Sequence, residues 1–517
     1  MASGMQRGAA DLVGGRWAEL SGDGDNAIVS VNPARPSEVV WRGGPVFGHV
    51  DEAVEAARTA QIEWAAWPAE RRFGVLRAYR DVCNARKDEI AALIARETGK
   101  VLWDAAGEAG ILGAKVDITL DASAHGGLSR VQGFEVGLTE SRVGRAWFRP
   151  HGAMAVIAPY NFPAHLANGH IVPALAMGNT VVLKPSDKTP AVGQLIGELF
   201  DEALRSAGAP AGVVNVVQGG AEVARRLTTH ADIDGILFTG SWPVGRRILE
   251  ANLGHPGRIV ALEMGGNSPA VVMPDCDLRQ AVVECARSAF ITTGQRCTCT
   301  RRIIVHREIA ERFVSAMCKV AAGLVVGEPD AAEPVFMGPI ISGEAREAVL
   351  GAQRVFEAAG GEVLVRSEAV ETVAGGYYLS PGVMRVERFT QETEGAAGCD
   401  VEVFGPMVRV SVADSFDDAI LQANATRYGL AASIFTRDEA TAERFVREAK
   451  AGCVNVNTGT AGASSKLPFG GLGLSGNHRP AGALSLDYCA YPVAGMMERG
   501  NAAAVPAGMK VEDGWIG

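Results

Sequence analysis

Six short apolar runs decide the fold of this chain: AMAVIA (153–158), TVVLKP (180–185), VVNVVQ (213–218), GILFTG (235–240), RIVALEMGG (258–266) and AVVM (270–273). Each is followed by turn residues and most by a helical stretch. Strands covered on both faces read as continuous apolar runs, and their alternation with helices predicts a parallel, doubly wound sheet. One crossover helix is explicit: Leu195, Ile196, Leu199, Phe200 and Leu204 share a face before the stop Gly208-Ala209-Pro210-Ala211-Gly212.

Toward the N-terminus, Val50, Val54, Ala57 and Trp64 stand at helical spacing, and a second helix runs through Ile90, Leu93 and Ile94 until Gly99 stops it. Toward the C-terminus a second α/β region begins near Leu278, with a helix to about Thr293, a strand RRIIVH (301–306) and a long helix through Phe313 and Met317. Its later strands include VRVSV, ASIFT and CVNVN. Between these halves GFEVGLTESRVGRAWFRP (133–150) reads as two strands. There is no internal repeat or low-complexity linker, and the first ten or so residues and those from Ala494 onward are expected to fray.

With 517 residues, 47% hydrophobic and 21% charged, the chain has room for two or three domains. A net charge of -10 without any block of like charges leaves no footprint for nucleic acid. No apolar run reaches the roughly 20 residues of a membrane span, and the N-terminus lacks a signal peptide's apolar core, so no membrane partner and a cytoplasmic location are expected. Nine scattered cysteines without C-x-x-C spacing argue against a disulfide framework or a structural zinc, and no metal is expected.

Four places could carry chemistry. Cys297 lies in ITTGQRCTCT, where polar flanks favour a partly exposed thiol and Arg296 and backbone amides could favour the thiolate; a lone cysteine is more often a small buried hydrophobe. Glu263 ends an apolar strand before two glycines, where open sheets bind ligands, although a solvated loop carboxylate is commoner. Asn161 sits in PYNFP, where its amide could donate to an oxyanion or simply form a turn. FTGSWPVG (238–245) closes a strand and opens a helix, with Gly240 and Gly245 placed for a phosphate or merely for a turn.

Taken in order, PYNFP, KPSDKTP, FTGS, LEMGGN, GQRC, EVFGP and PFGG resemble the aldehyde dehydrogenase superfamily from about residue 15 to residue 490. The resemblance implies that Cys297 is the nucleophile, that Glu263 is the general base for deacylation, and that the Asn161 side chain and the Cys297 amide form the oxyanion hole. It also implies a dinucleotide with Lys184 and Asp187 near the adenosine ribose, Gly240, Ser241 and Gly245 around the pyrophosphate, and Glu402 and Phe404 around the nicotinamide. Asp187 replaces a Glu found in many NAD-using members; NAD is expected, with NADP not excluded.

Within the superfamily, AGASSKLPFGGLGLSGNHRP (461–480) and DYCAYP (487–492) look like the bacterial N-succinylglutamate 5-semialdehyde dehydrogenases of arginine catabolism. Ala164, the inserted pair Trp242-Pro243 and Lys466 depart from that pattern. Tyr160, Phe469, His478 and Arg479 are the expected substrate contacts. Other semialdehyde or general aldehyde dehydrogenases, a CoA-acylating enzyme and a non-catalytic scaffold protein are the competing readings, and retention of Glu263 disfavours the last two. The implied architecture is a dinucleotide-binding domain (12–131 and 152–265), a catalytic α/β domain (266–455), a small β oligomerisation arm (132–151 and 456–493) and tails (1–11 and 494–517). A homodimer or a dimer of dimers is expected from the arm.

Overall fold

The computed structural model describes residues 8–22, 24, 26–501 and 503–516. The parallel sheet forms from the predicted runs in the spatial order Ile259–Met264, Gly235–Gly240, Ala153–Ile157, Thr180–Lys184 and Val214–Val216. The chain proceeds outward from Ala153–Ile157 in one direction, then returns to add Gly235–Gly240 on its other side. That reversal is the switch point at which doubly wound sheets open a crevice at their C-terminal ends.

Helices cover both faces because each strand is apolar on both. Pro190–Ser206 buries the predicted Leu195, Ile196, Leu199, Phe200 and Leu204, and Gly48–Ala66 buries Val50, Val54, Ala57 and Trp64. Lys87–Thr98 ends where Gly99 turns left-handed at φ 74°. The second sheet runs Glu362–Val365, Gly382–Arg385, Met407–Ala413, Thr300–His306, Ser268–Val272, Ala431–Phe435 and Cys453–Val456, parallel except at its first edge.

Three expectations are corrected. Ala10–Val13 is no tail: it pairs with Val214–Val216 and buries Asp11, which accepts from the Gln218 amide and from His49. The expected fraying of residues 1–7, 502 and 517 lies outside the described residues. The C-terminal tail does not begin at Ala494, since Ala490–Glu498 pairs with Arg142–Pro150 at every position, and that strand also carries Phe134–Gly137. The helix from Leu278 stops at Phe290, and a tight turn spans Ile291–Gly294. FTGSWPVG closes the strand Gly235–Gly240 and opens a helix as expected, with Trp242 and Pro243 in the first turn of Trp242–Asn252.

Candidate active site

A cavity of about 300 Å³ opens at the C-terminal ends of the first sheet, where Glu263 and its cross-strand partner Thr239 each stand one residue before a strand end; Cys297 faces the same space from the second unit. The third wall is one face of the helix Leu102–Leu120, carrying Asp104, Glu108, Ile111 and Lys115.

The loop before Cys297 has an uncommon backbone. Thr292 and Thr293 are left-handed, with φ of 55° and 54°, a conformation that β-branched residues adopt only under tertiary constraint. Gly294 follows at φ 70°, so close to Gly405 that a Cβ would stand 2.1 Å from its oxygen. The constraint is visible: Thr292 Oγ1 donates to Asp104 at 2.6 Å, Thr293 Oγ1 to the Gly338 oxygen at 2.9 Å, and Arg296 Nη2 to Asp104 at 2.7 Å. Asn161 Nδ2 donates to the Gln295 oxygen at 3.0 Å, which brings its amide to this loop with a second N–H to spare.

Electrostatically the site is at rest. Burial, reinforced by Glu263 and Glu402, pushes the Cys297 thiol up to about 12. The expected help from Arg296 is absent because its guanidinium is spent on Asp104 and on Thr292 Oγ1. Glu263 is raised well above the carboxylate range by burial, opposed only by the Ala481 amide, and its Oε2 is buried without a hydrogen-bond partner. Glu263 is therefore a buried acid rather than a solvated loop residue. Cys299 is fully buried beneath the loop with its thiol toward the Ile291 oxygen, which makes it a bystander.

The expected cofactor residues gather along the same sheet ends. Lys184 Nζ donates to the Gly219 oxygen at 2.6 Å, and burial lowers it to about 8 against the pull of Asp187. Ser241 is the N-cap of Trp242–Asn252, and its exposed hydroxyl makes no cap bond, so it is free for a ligand, while Pro243 removes one first-turn N–H. Gly245 acts in packing: a Cβ there would lie 2.4 Å from the Met264 sulfur, so its absence seats the helix against the strand of Glu263. Gly240 likewise makes room for the Phe238 ring. Glu402 accepts from the Gly266 amide at 3.1 Å and is raised to about 7 by burial, against the pull of Arg301. The Phe404 ring meets Tyr160 edge-on at 6.1 Å. Helix N-terminus, uncapped hydroxyl and crevice at the switch point together fit a dinucleotide.

Of the expected substrate contacts, Phe469 lines the cavity, while Tyr160 does not and packs on the Phe404 side. His478 and Arg479 are exposed and outside the lining, with Arg479 Nη1 donating to the His478 oxygen at 3.2 Å. Within SGNHRP the engaged residues are Ser475 and Asn477. Asn477 bonds the Leu262 amide and the Val260 oxygen at 2.9 and 2.8 Å, and Ser475 donates to the Gly265 oxygen at 2.6 Å, so the segment braces the strand that carries Glu263. Sequence reasoning missed Asp104, Glu108 and Lys115. Their signal was charged residues four and seven apart on the buried face of an otherwise apolar helix.

The sequence profile of the aldehyde dehydrogenase family matches residues 20–492. The chain is 42% identical over 487 residues to an N-succinylglutamate 5-semialdehyde dehydrogenase of Sphingopyxis alaskensis, covering 94% of this chain and 97% of that one. It superposes on the crystal structure of betaine aldehyde dehydrogenase from Staphylococcus aureus in complex with NAD+ with a TM-score of 0.87 at 26% identity, covering 97% of each. For glyceraldehyde-3-phosphate dehydrogenase GapN from Methanocaldococcus jannaschii complexed with NADP the TM-score is 0.82 at 26% identity, covering 91% of this chain and 99% of that one. Among the described residues no helix is long and apolar enough to cross a membrane.

Proposed function

Because the chain belongs to the aldehyde dehydrogenase family, we propose that it oxidises N-succinyl-L-glutamate 5-semialdehyde to N-succinyl-L-glutamate, in arginine catabolism, with NAD as the preferred acceptor. The observation that carries the reading is the convergence of Cys297 and Glu263 on one cavity, with the Asn161 amide tied to the loop that presents the thiol.

Cys297 Sγ adds to the aldehyde carbon as its thiol proton passes to water in the cavity. The carbonyl oxygen becomes an oxyanion that takes hydrogen bonds from Asn161 Nδ2 and the Cys297 main-chain N–H. Glu402 and Phe404 would hold a nicotinamide, which would supply the acceptor for the hydride that leaves the aldehyde carbon. The thioester left on Cys297 is then hydrolysed by a water that gives its proton to the ionised Glu263 carboxylate, releasing the acid and restoring the thiol. The burial that raises Glu263 also makes its carboxylate a stronger base.

The similarity to the Sphingopyxis enzyme supports the substrate. Lys184 and Asp187 serve the adenosine ribose, and Gly240, Ser241 and Gly245 shape the pyrophosphate turn. Residues 10–131 and 152–265 form the dinucleotide-binding domain, residues 266–455 the catalytic domain, and 132–151 with 456–498 the arm. The exposed Phe134 and Val136 on an outer strand of that arm suit a homodimer or a dimer of dimers. The location is cytoplasmic. Formation of reduced nicotinamide by the purified protein, compared across the succinylated substrate, glutamate semialdehyde, succinate semialdehyde and an aliphatic aldehyde, tests the reading. Turnover concentrated on the first, and lost in Cys297→Ala, is the expected result; turnover favouring another aldehyde overturns the substrate.

A further inference from the structure

The carboxylates that face the cavity are already answered. Asp104 pairs with Arg296 at 2.7 Å, Glu108 pairs with Lys100, and burial raises the Glu263 carboxyl well above its ordinary range. Lys115 is the exception. It is 2% exposed and lines the cavity from the same helix face as Asp104 and Glu108. Its Nζ donates to the Gly482 oxygen at 2.7 Å and to Ser485 Oγ at 3.0 Å, both neutral, and among the described residues no carboxylate pairs with it. An ammonium has three N–H donors, so one remains. Burial lowers Lys115 to about 8, which leaves it largely charged at neutral pH.

A second group in the wall is also unsatisfied. His165 lines the cavity, and its Nδ1 is buried without a hydrogen-bond partner. Its ring is pushed down to about 3 by burial and by the charges of Lys115, Lys100 and Arg296, so it is neutral and able to donate from one nitrogen. A buried, unpaired ammonium is costly unless an anion arrives to meet it. The cavity wall therefore holds an ammonium with no carboxylate partner among the described residues beside an idle imidazole nitrogen.

We propose that Lys115, supported by His165, recognises a carboxylate on the aldehyde substrate and so selects acidic aldehydes over neutral ones. The inference rests on the proposed aldehyde oxidation, and it gives the acid-recognition role to a residue inside the cavity rather than to Arg479. A charge-assisted hydrogen bond of this kind corresponds to roughly tenfold to a hundredfold in affinity.

The test uses full-length Lys115→Met and Lys115→Arg, with kcat/KM measured on aldehydes of matched length ending in a carboxylate or a methyl group. The wild-type protein should prefer the acid. The acid-to-neutral ratio should fall about ten- to a hundredfold in Lys115→Met, chiefly through KM, and should be partly kept in Lys115→Arg. A ratio unchanged in Lys115→Met, whatever its thermal stability, makes Lys115 a structural tie to Gly482 and Ser485 and overturns the proposal. So does a wild-type protein with no preference for the acid. If Lys115→Met does not fold, competitive inhibition of the wild type by a dicarboxylate and by its neutral diester decides: equal inhibition overturns it. A wild-type protein that prefers acidic aldehydes yet ignores the succinylated one refutes the named substrate and leaves the role of Lys115 standing.

Discussion

Lys100 Nζ donates to the main-chain oxygen of Asn161 at 3.0 Å while paired with Glu108, whose other oxygen accepts the Ala164 and His165 amides at 3.0 and 3.1 Å. A fully buried ion pair thus fixes the middle of PYNFP and the two residues after it, and with them the Asn161 amide proposed to face the oxyanion. Removing one partner of such a pair costs about 3–5 kcal/mol, because the other is left charged and buried. Lys100→Met should lose stability of that order and lower kcat more than it raises KM, while Lys100→Met with Glu108→Gln should recover part of the stability. Denaturant titration and steady-state kinetics check this; a double variant no more stable than the single one would refute the pairing argument.

Asn161→Ala should lower kcat about a hundredfold to a thousandfold, the scale of one lost oxyanion donor. Its melting temperature should stay close to the wild-type value, because the amide bonds only one loop carbonyl.

Glu263→Gln should still release one equivalent of reduced nicotinamide and then stall as a thioester, detectable as an acyl adduct on Cys297 by intact mass. The proposed base acts in its ionised form and burial raises its pKa, so wild-type kcat should still be rising with pH above the ordinary carboxylate range. The Gln variant should lose that slope. Accumulation of no adduct would place the deacylation base elsewhere.

In the protein without ligands, Cys297 should react slowly with iodoacetamide at neutral pH. With the thiol pushed up to about 12, its thiolate fraction, and hence the alkylation rate, should climb about tenfold per pH unit up to pH 9. A rate that levels off by pH 7 would show a thiol already activated.

Arg479→Ala should change kcat/KM by less than about threefold on acidic and neutral aldehydes alike, as expected of an exposed side chain away from the reacting groups. Asn477→Ala should cost far more, because it frees the strand that carries Glu263.

The parallel sheet was legible because each strand is apolar on both faces and each crossover helix shows its own period. Cys297, Glu263 and Asn161 could be picked out as candidates because their motifs are local strings, and the structure brings the first two to one cavity. What the sequence concealed depends on distant pairing. Ala10–Val13 and Ala490–Glu498 are too short or too small-residued to announce themselves, and they become strands only because Val214–Val216 and Arg142–Pro150 offer edges. Arg479 stands in a distinctive string, yet the string's work is done by Asn477, and nothing local distinguishes a residue that grips a neighbouring strand from one that faces water. Asp104 and Lys115 lie about 190 and 180 residues from Cys297, so their meeting in one wall is a product of tertiary packing.

The left-handed Thr292-Thr293 pair has a consequence for how this enzyme is built. No short-range preference favours that shape, and the bonds that hold it come from Asp104 and from Gly338, contributed by stretches far apart along the chain. A fragment containing Cys297 without the helix Leu102–Leu120 would hold the thiol in the wrong place. The proposed nucleophile is thus put in place only when both sheet-bearing halves have folded, and half-folded chains should be catalytically mute.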